Sequence, residues 1–372
     1  MIEKLKENRL YLGLFALTGL FSAFFHGIGL TKILPWNIVY SDLLGFFERA
    51  TAAGFPYFDK PMEYPVLTGL FIQLMGFMGG SRAGYYFMSA AVLIILGLIA
   101  TYFLLKTADE EAKKRIFQYW IFAPSIFMFS VFNWDMIAIL SVILAFYFFS
   151  FGGKKEVVGV FFLALGFCAK FYPILYLVPF LIKKRSVEDW IKMLLVFAVT
   201  VLAVNVYFMF ANFDGWSYFF TLNNARNSNP DSIWTIMRFA VYGFSVSQIN
   251  NISLLLFGLS FGGVLWRFWK APAILLCFIG TILFLLFNKV FSPQYILWLL
   301  PFFVLLPIDA KKSFYALEFS NLASFFIIIP WFFDHNLAHF YWSIPFVLLR
   351  HLALIIILLR ALKLAKRYDF YL

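Results

Sequence analysis

Ala83-Gly84-Tyr85-Tyr86-Phe87-Met88-Ser89-Ala90-Ala91-Val92-Leu93-Ile94-Ile95-Leu96-Gly97-Leu98-Ile99-Ala100-Thr101-Tyr102-Phe103-Leu104-Leu105 runs from Arg82 to Lys106 without a charge. As a helix rising about 1.5 Å per residue it is roughly 35 Å long, enough to cross a bilayer core of about 30 Å. Comparable apolar stretches lie at roughly 10–30, 115–131, 134–151, 157–169, 172–182, 191–211, 251–269, 272–288, 292–307, 314–333 and 341–363. The chain has 372 residues, 63% hydrophobic, 22% aromatic and 13% charged, too few polar side chains to cover a soluble surface. Lipid offers the backbone no hydrogen bonds, so spans of this length are helices rather than barrel strands. The expected fold is a single all-α polytopic membrane domain over 1–372, with about twelve transmembrane helices.

Basic residues fix the expected topology. They cluster at 1–9, at 106–115 (Lys106, Lys113, Lys114, Arg115), at Lys154-Lys155, at Lys183-Lys184-Arg185 with Lys192, at Arg267 with Lys270, at Lys311-Lys312, and from Arg360 onward. With both termini cytoplasmic, every cluster falls inside, and 21 of the 30 lysines and arginines are cytoplasmic. The net charge of +11 therefore points to anionic membrane lipids and away from nucleic acid. Cys168 and Cys277 both sit in apolar runs, which argues against a disulfide, and nothing has metal-ligand spacing. The N-terminal stretch leads into its apolar run without a small-residue cleavage site and reads as a retained anchor.

Two segments are too short for ordinary spans. Pro65–Gly79 is about 22 Å as a helix and is expected to be re-entrant or surface-lying. Val157–Ile182 reads as a short hairpin whose turn carries Lys170, irregular backbone being tolerated where it lines a cavity. This topology places 31–81 as the first outer loop and 212–250 as a long outer loop. The same face receives Asn133-Trp134-Asp135, the Lys170 turn, Asn288-Lys289 through Tyr295, and Asp334-His335-Asn336. The inner loops are short, with no Gly-rich or Walker-type phosphate motif. An enzyme built this way works outside, on an activated substrate that arrives in the membrane as a lipid phosphate.

Tyr40-Ser41-Asp42, Gly54-Phe55-Pro56-Tyr57 and Glu63-Tyr64-Pro65 together resemble the first outer loop of glycosyltransferase family 87, in the GT-C superfamily. Asn133-Trp134-Asp135, Ala169-Lys170-Phe171-Tyr172-Pro173 and Asn288-Lys289 through Ser292-Pro293-Gln294-Tyr295 follow in the family's order. The glutamate motif departs from the family by reading Glu-Tyr-Pro-Val. The resemblance implies an inverting hexosyltransferase. Its donor is a polyprenyl- or dolichyl-phosphate sugar, with mannose the expected hexose, and its acceptor is a lipid or glycan. The site faces outward across the plasma membrane. One carboxylate base suffices, because a phosphate leaving group needs little protonation, and in GT-C enzymes that base lies in the first outer loop, where Asp42 falls. No metal or other cofactor is required on this reading, although the outer acidic residues leave room for a divalent cation.

Each candidate has a plainer reading beside it. Ser41 or Asp42 could cap the helix that begins at Leu43. Glu63 could orient a sugar hydroxyl, hold Arg82, or favour the dipole of the following helix. Asp135 could cap its span, bind hydroxyls with Tyr64 and Tyr172, or pair with Lys170. Lys170 and Lys289 are the phosphate-side cations on the functional reading and snorkelling side chains on the plain one. Gln294 and Tyr295 add hydrogen-bonding groups beside Lys289. His335 is a phosphate contact or an interfacial histidine. The rival from another class is a secondary transporter or lipid flippase, whose marks are related halves and midplane sites on broken helices; no internal repeat is evident.

Overall fold

The computed structural model describes residues 2–31, 33–240 and 243–368, with the side chains of 2–7 outside that description. Among the described residues it is helical throughout, with one isolated bridge between Pro56 and Lys60 and no strand. Among the described residues six helices are long and apolar enough to cross a membrane: within Asn8–Leu30, and Arg82–Thr107, Val187–Ala211, Val246–Arg267, Lys311–Asp334 and Leu337–Arg367. The molecule is an integral membrane protein.

The other expected spans are shorter or broken, for local reasons. The 115–131 stretch divides into Glu110–Ile116, a π-turn over Phe117–Ile121, and Pro124–Phe129. Pro124 has no N–H to continue the ladder, and the new N-terminus finds a partner elsewhere. Buried Glu318 accepts from the Ser125 amide at 2.8 Å and the Ser125 hydroxyl at 2.6 Å. The 292–307 stretch becomes a 3-10 turn over Pro293–Trp298 and a helix over Leu300–Leu305. Lys155–Ala169 and Ile174–Leu181 form the hairpin, joined through Lys170–Pro173. Asp135–Phe149 and Ala273–Phe287 are buried on nearly all sides, as helices apolar all round should be. Val246–Arg267 buries little and faces outward.

The 31–81 segment holds the short helices Trp36–Val39, Asp42–Gly45 and Phe47–Thr51, then the 14-residue helix Val66–Gly79. That last helix packs on Arg82–Thr107 and on Lys155–Ala169, where the Thr68 hydroxyl donates to the Ala169 carbonyl at 2.7 Å. It reverses into Arg82–Thr107 through Gly80 at φ +64°, a left-handed conformation suited to glycine. A Cβ on Gly84 would overlap the Gly79 carbonyl. Gly84→Ala is therefore expected to destabilise the protein by about 1–3 kcal/mol, read as a lower unfolding midpoint of the purified protein.

Two further ties hold this segment. Buried His26, near the end of the first span, places its ring nitrogens 3.2 Å from the Val39 carbonyl and 2.7 Å from the Met128 carbonyl. The Leu43 amide donates to the Phe132 carbonyl at 3.4 Å. The segment before Asp42 and the Asn133 turn are thus fixed to one another.

Candidate functional site

The Ser41 hydroxyl, not the Asp42 carboxylate, caps the helix Asp42–Gly45, accepting from the Leu44 amide at 3.4 Å. This leaves the half-buried Asp42 side chain free of capping. Its Oδ1 accepts from the Tyr40 hydroxyl at 3.0 Å, and the Asn133 amide lies beside it. Burial raises the Asp42 pKa to about 6; the Tyr40 hydrogen bond, the Lys170 charge and the neighbouring Asn133 amide oppose the rise, and the Asp135 charge adds to it. Tyr40 is held well above an ordinary phenol, first by the charge of Asp42 and then by burial.

Asp135 and Lys170 form a buried ion pair at 2.5 Å, Asp135 fully enclosed and the Lys170 side chain 13% exposed. Tyr64 and Tyr295 flank the ammonium, with ring centres 5.4 and 5.6 Å from Nζ. The Asp135 amide donates to Asn133 Oδ1 at 3.0 Å, which fixes the Asn133 side chain with its NH₂ free. Among the described residues, Asn133 Nδ2, Trp134 Nε1 and Trp298 Nε1 are buried donors with no hydrogen-bond partner. Buried polar groups are nearly always satisfied, so orphan donors at a charged centre are suited to a ligand's oxygens. Rings enclose the centre. Tyr64 and Phe46 pack on Trp134 at 4.9 and 5.0 Å, while Tyr172 and Tyr295 stack on Trp298 at 4.1 and 4.0 Å.

The structure thus brings Asp42, Tyr64, Asp135, Lys170, Tyr172 and Tyr295 together. Glu63 is close in sequence but pairs with Arg49 rather than Arg82. Lys289 donates to the Asn224 and Arg226 carbonyls at 3.1 and 2.8 Å, closing the end of the helix Phe213–Ala225. Gln294 is buried in the Pro293–Trp298 turn. His335 is exposed, in a left-handed turn at φ +50°, with its ring against Trp331. No group of three or more His, Cys, Asp or Glu side chains is placed to hold a metal among the described residues.

Sequence reasoning missed a clamp on the 288–293 junction. Buried Arg350 pairs with Asp231 and donates to Asn321 Oδ1, each at 3.2 Å, and lies 3.7 Å from the Phe291 ring centre. Asn321 in turn donates to the Pro293 carbonyl at 2.9 Å. The Asn229 amide donates to the Lys289 carbonyl at 3.0 Å, and its side chain to the Phe291 carbonyl at 3.2 Å. The polar run 223–232 is docked on this junction. A lone arginine in an apolar span was the available signal, since an intramembrane charge needs a partner.

The model of glycosyltransferase family 87 matches residues 63–293, more than half of the chain. The match includes Glu63, Tyr64, Asp135, Lys170, Tyr172 and Lys289, while Asp42, Gln294, Tyr295 and His335 lie outside it. No curated protein matches the chain.

Proposed function

Because the chain belongs to glycosyltransferase family 87, we propose that it is a lipid-phosphate-dependent hexosyltransferase with Asp42 as its general base. The family makes it a glycosyltransferase that takes a sugar donor and an acceptor. The finer reading is a polyprenyl-phosphate hexose donor, with mannose as the sugar, and a lipid or glycan acceptor. Transfer takes place on the outer face of the plasma membrane, with both termini cytoplasmic. The observation that supports it best is the half-buried Asp42 carboxylate, spared from capping by Ser41 and set beside the Asp135–Lys170 pair.

The step balances with one base. The acceptor hydroxyl gives its proton to Asp42 as its oxygen attacks the anomeric carbon. The bond from that carbon to the phosphate oxygen breaks, and the lipid phosphate leaves with the electron pair. Attack from the face opposite the leaving group inverts the anomeric centre. Tyr40 and Lys170 favour the ionised carboxylate against its burial. Asn133 and Trp134 offer their unpaired N–H groups to hydroxyls of the sugar or acceptor.

A base must be deprotonated to act. With Asp42 at about 6, kcat/KM is expected to rise about tenfold per pH unit below that value and level off above it. Purified protein in lipid nanodiscs is given polyprenyl-phosphate mannose, polyprenyl-phosphate glucose, and nucleotide sugars with a mixed glycolipid acceptor. Transfer from the polyprenyl donors alone, with an acid limb near pH 6, is the expected result. Transfer from nucleotide sugars, or a rate flat between pH 5 and 8, would overturn the reading.

A further inference from the structure

Nine lysines and arginines lie outside the basic clusters of the short loops: Lys32, Arg49, Lys60, Arg82, Lys170, Arg226, Arg238, Lys289 and Arg350. Lys32 falls outside the described residues. Seven of the others are committed within the protein. Arg49 pairs with Glu63, Lys170 with Asp135, and Arg350 with Asp231. Lys60 donates to the Arg49 and Ala52 carbonyls, both at 2.9 Å, and Lys289 to those of Asn224 and Arg226. Arg226 and Arg238 each donate to an asparagine oxygen at 3.1 Å.

Arg82 differs. It is exposed, and no carboxylate among the described residues pairs with it. Among the described residues its side chain makes one hydrogen bond, to the Leu44 carbonyl, 3.5 Å long and at the limit for such a bond. Its guanidinium otherwise lies 5.4 Å from the Trp36 ring centre. It also borders an open cleft of about 670 Å³, lined by Gly29, Thr31, Ile33, Leu34, Pro35 and Trp36. Ile33 and Leu34 are exposed. Among the described residues the cleft therefore has largely apolar walls and one cation, the complement of an anionic head on a hydrocarbon chain.

The cleft also adjoins the candidate base. Trp36 packs edge-on against Tyr40 at 5.6 Å, and Tyr40 holds Asp42. Leu44, which Arg82 reaches, lies in the same helical turn as Asp42. Arginine suits phosphate because its planar fork can make two charge-assisted bonds.

We infer that this cleft binds a lipid-linked phosphate, with Arg82 as its cation and Trp36, Ile33 and Leu34 along its chain. The assignment rests on the transferase reading above for the identity of that lipid, the polyprenyl-phosphate donor. Arg82 then carries the charge of the departing phosphate, while Lys170 remains with Asp135.

The test uses a short isoprenyl phosphate without sugar, titrated onto the purified full chain in nanodiscs of neutral lipid. Binding is measured by calorimetry, so it does not depend on turnover. The wild type is expected to bind the phosphate and not the corresponding isoprenyl alcohol. Arg82→Gln is expected to weaken binding about ten- to a hundredfold, and Arg82→Lys to restore part of it. Arg82→Gln should also raise the KM for the polyprenyl donor more than that for the acceptor. Unchanged probe binding in a folded Arg82→Gln variant would overturn the inference, even with the transferase reading intact. Arg82-dependent binding without any sugar transfer would fault the transferase reading and leave the phosphate site standing. Equal competition by phosphatidylglycerol would replace the donor with a bulk anionic lipid and overturn the assignment of the donor to this cleft.

Discussion

Asp42→Asn is expected to lower the rate of sugar transfer by about 10²- to 10⁴-fold, the usual contribution of a positioned general base. The substitution keeps the shape and a side-chain oxygen that can accept from Tyr40, so the local hydrogen bond at 3.0 Å has a replacement. Ser41 continues to cap the helix. The folded state should therefore survive, as read by an unfolding midpoint close to that of the wild type. The residual activity should lose its acid limb near pH 6, because the titrating group is gone. A folded Asp42→Asn protein that transfers sugar at the wild-type rate would remove Asp42 from the mechanism.

Lys170→Met is expected to act on stability as well as on activity. Asp135 is fully enclosed and Lys170 supplies the opposing charge at 2.5 Å. Removing one member of a buried ion pair leaves an uncompensated charge and costs about 3–5 kcal/mol. Replacing both members with apolar residues of similar size is often close to neutral. Lys170→Met combined with Asp135→Leu should then regain most of the lost stability. It should not regain activity, because the double variant also changes the field that keeps Asp42 ionised. Chemical unfolding and transfer rates measured on the same preparations separate the two effects. Equal stability of the single variant and the wild type would mean that the pair is not the support described.

Much of the architecture was legible because it follows from short-range physics. The uncharged run after Arg82 became the helix Arg82–Thr107, and the proline after Lys170 marked a real turn. The helix count was less legible. Whether an apolar stretch is one helix or two short ones depends on single prolines and on distant groups that receive the freed backbone. Glu318, which satisfies the Ser125 amide, lies 193 residues away. The same limit governed the site. Ser41 and Asp42 were equivalent as caps in the sequence, and only backbone geometry chose Ser41. Glu63 could be matched with any nearby cation, and the fold brought Arg49 to it. The roles of Asn133 and Trp134 as unpaired donors depend on what surrounds them, which residue type does not encode.

The Arg350 clamp bears on how the protein is made. Asp231 and the 288–293 junction leave the ribosome well before their arginine, 119 residues after Asp231. Until the helix Leu337–Arg367 has joined the bundle, Asp231 lacks the counter-charge that permits its burial. The loop around Asn229 and the turn that carries Tyr295 therefore gain their charged tie only when that helix docks. Completion of this clamp is then coupled to insertion of the helix Leu337–Arg367, and a chain stalled short of it would hold the earlier spans without the Arg350 tie.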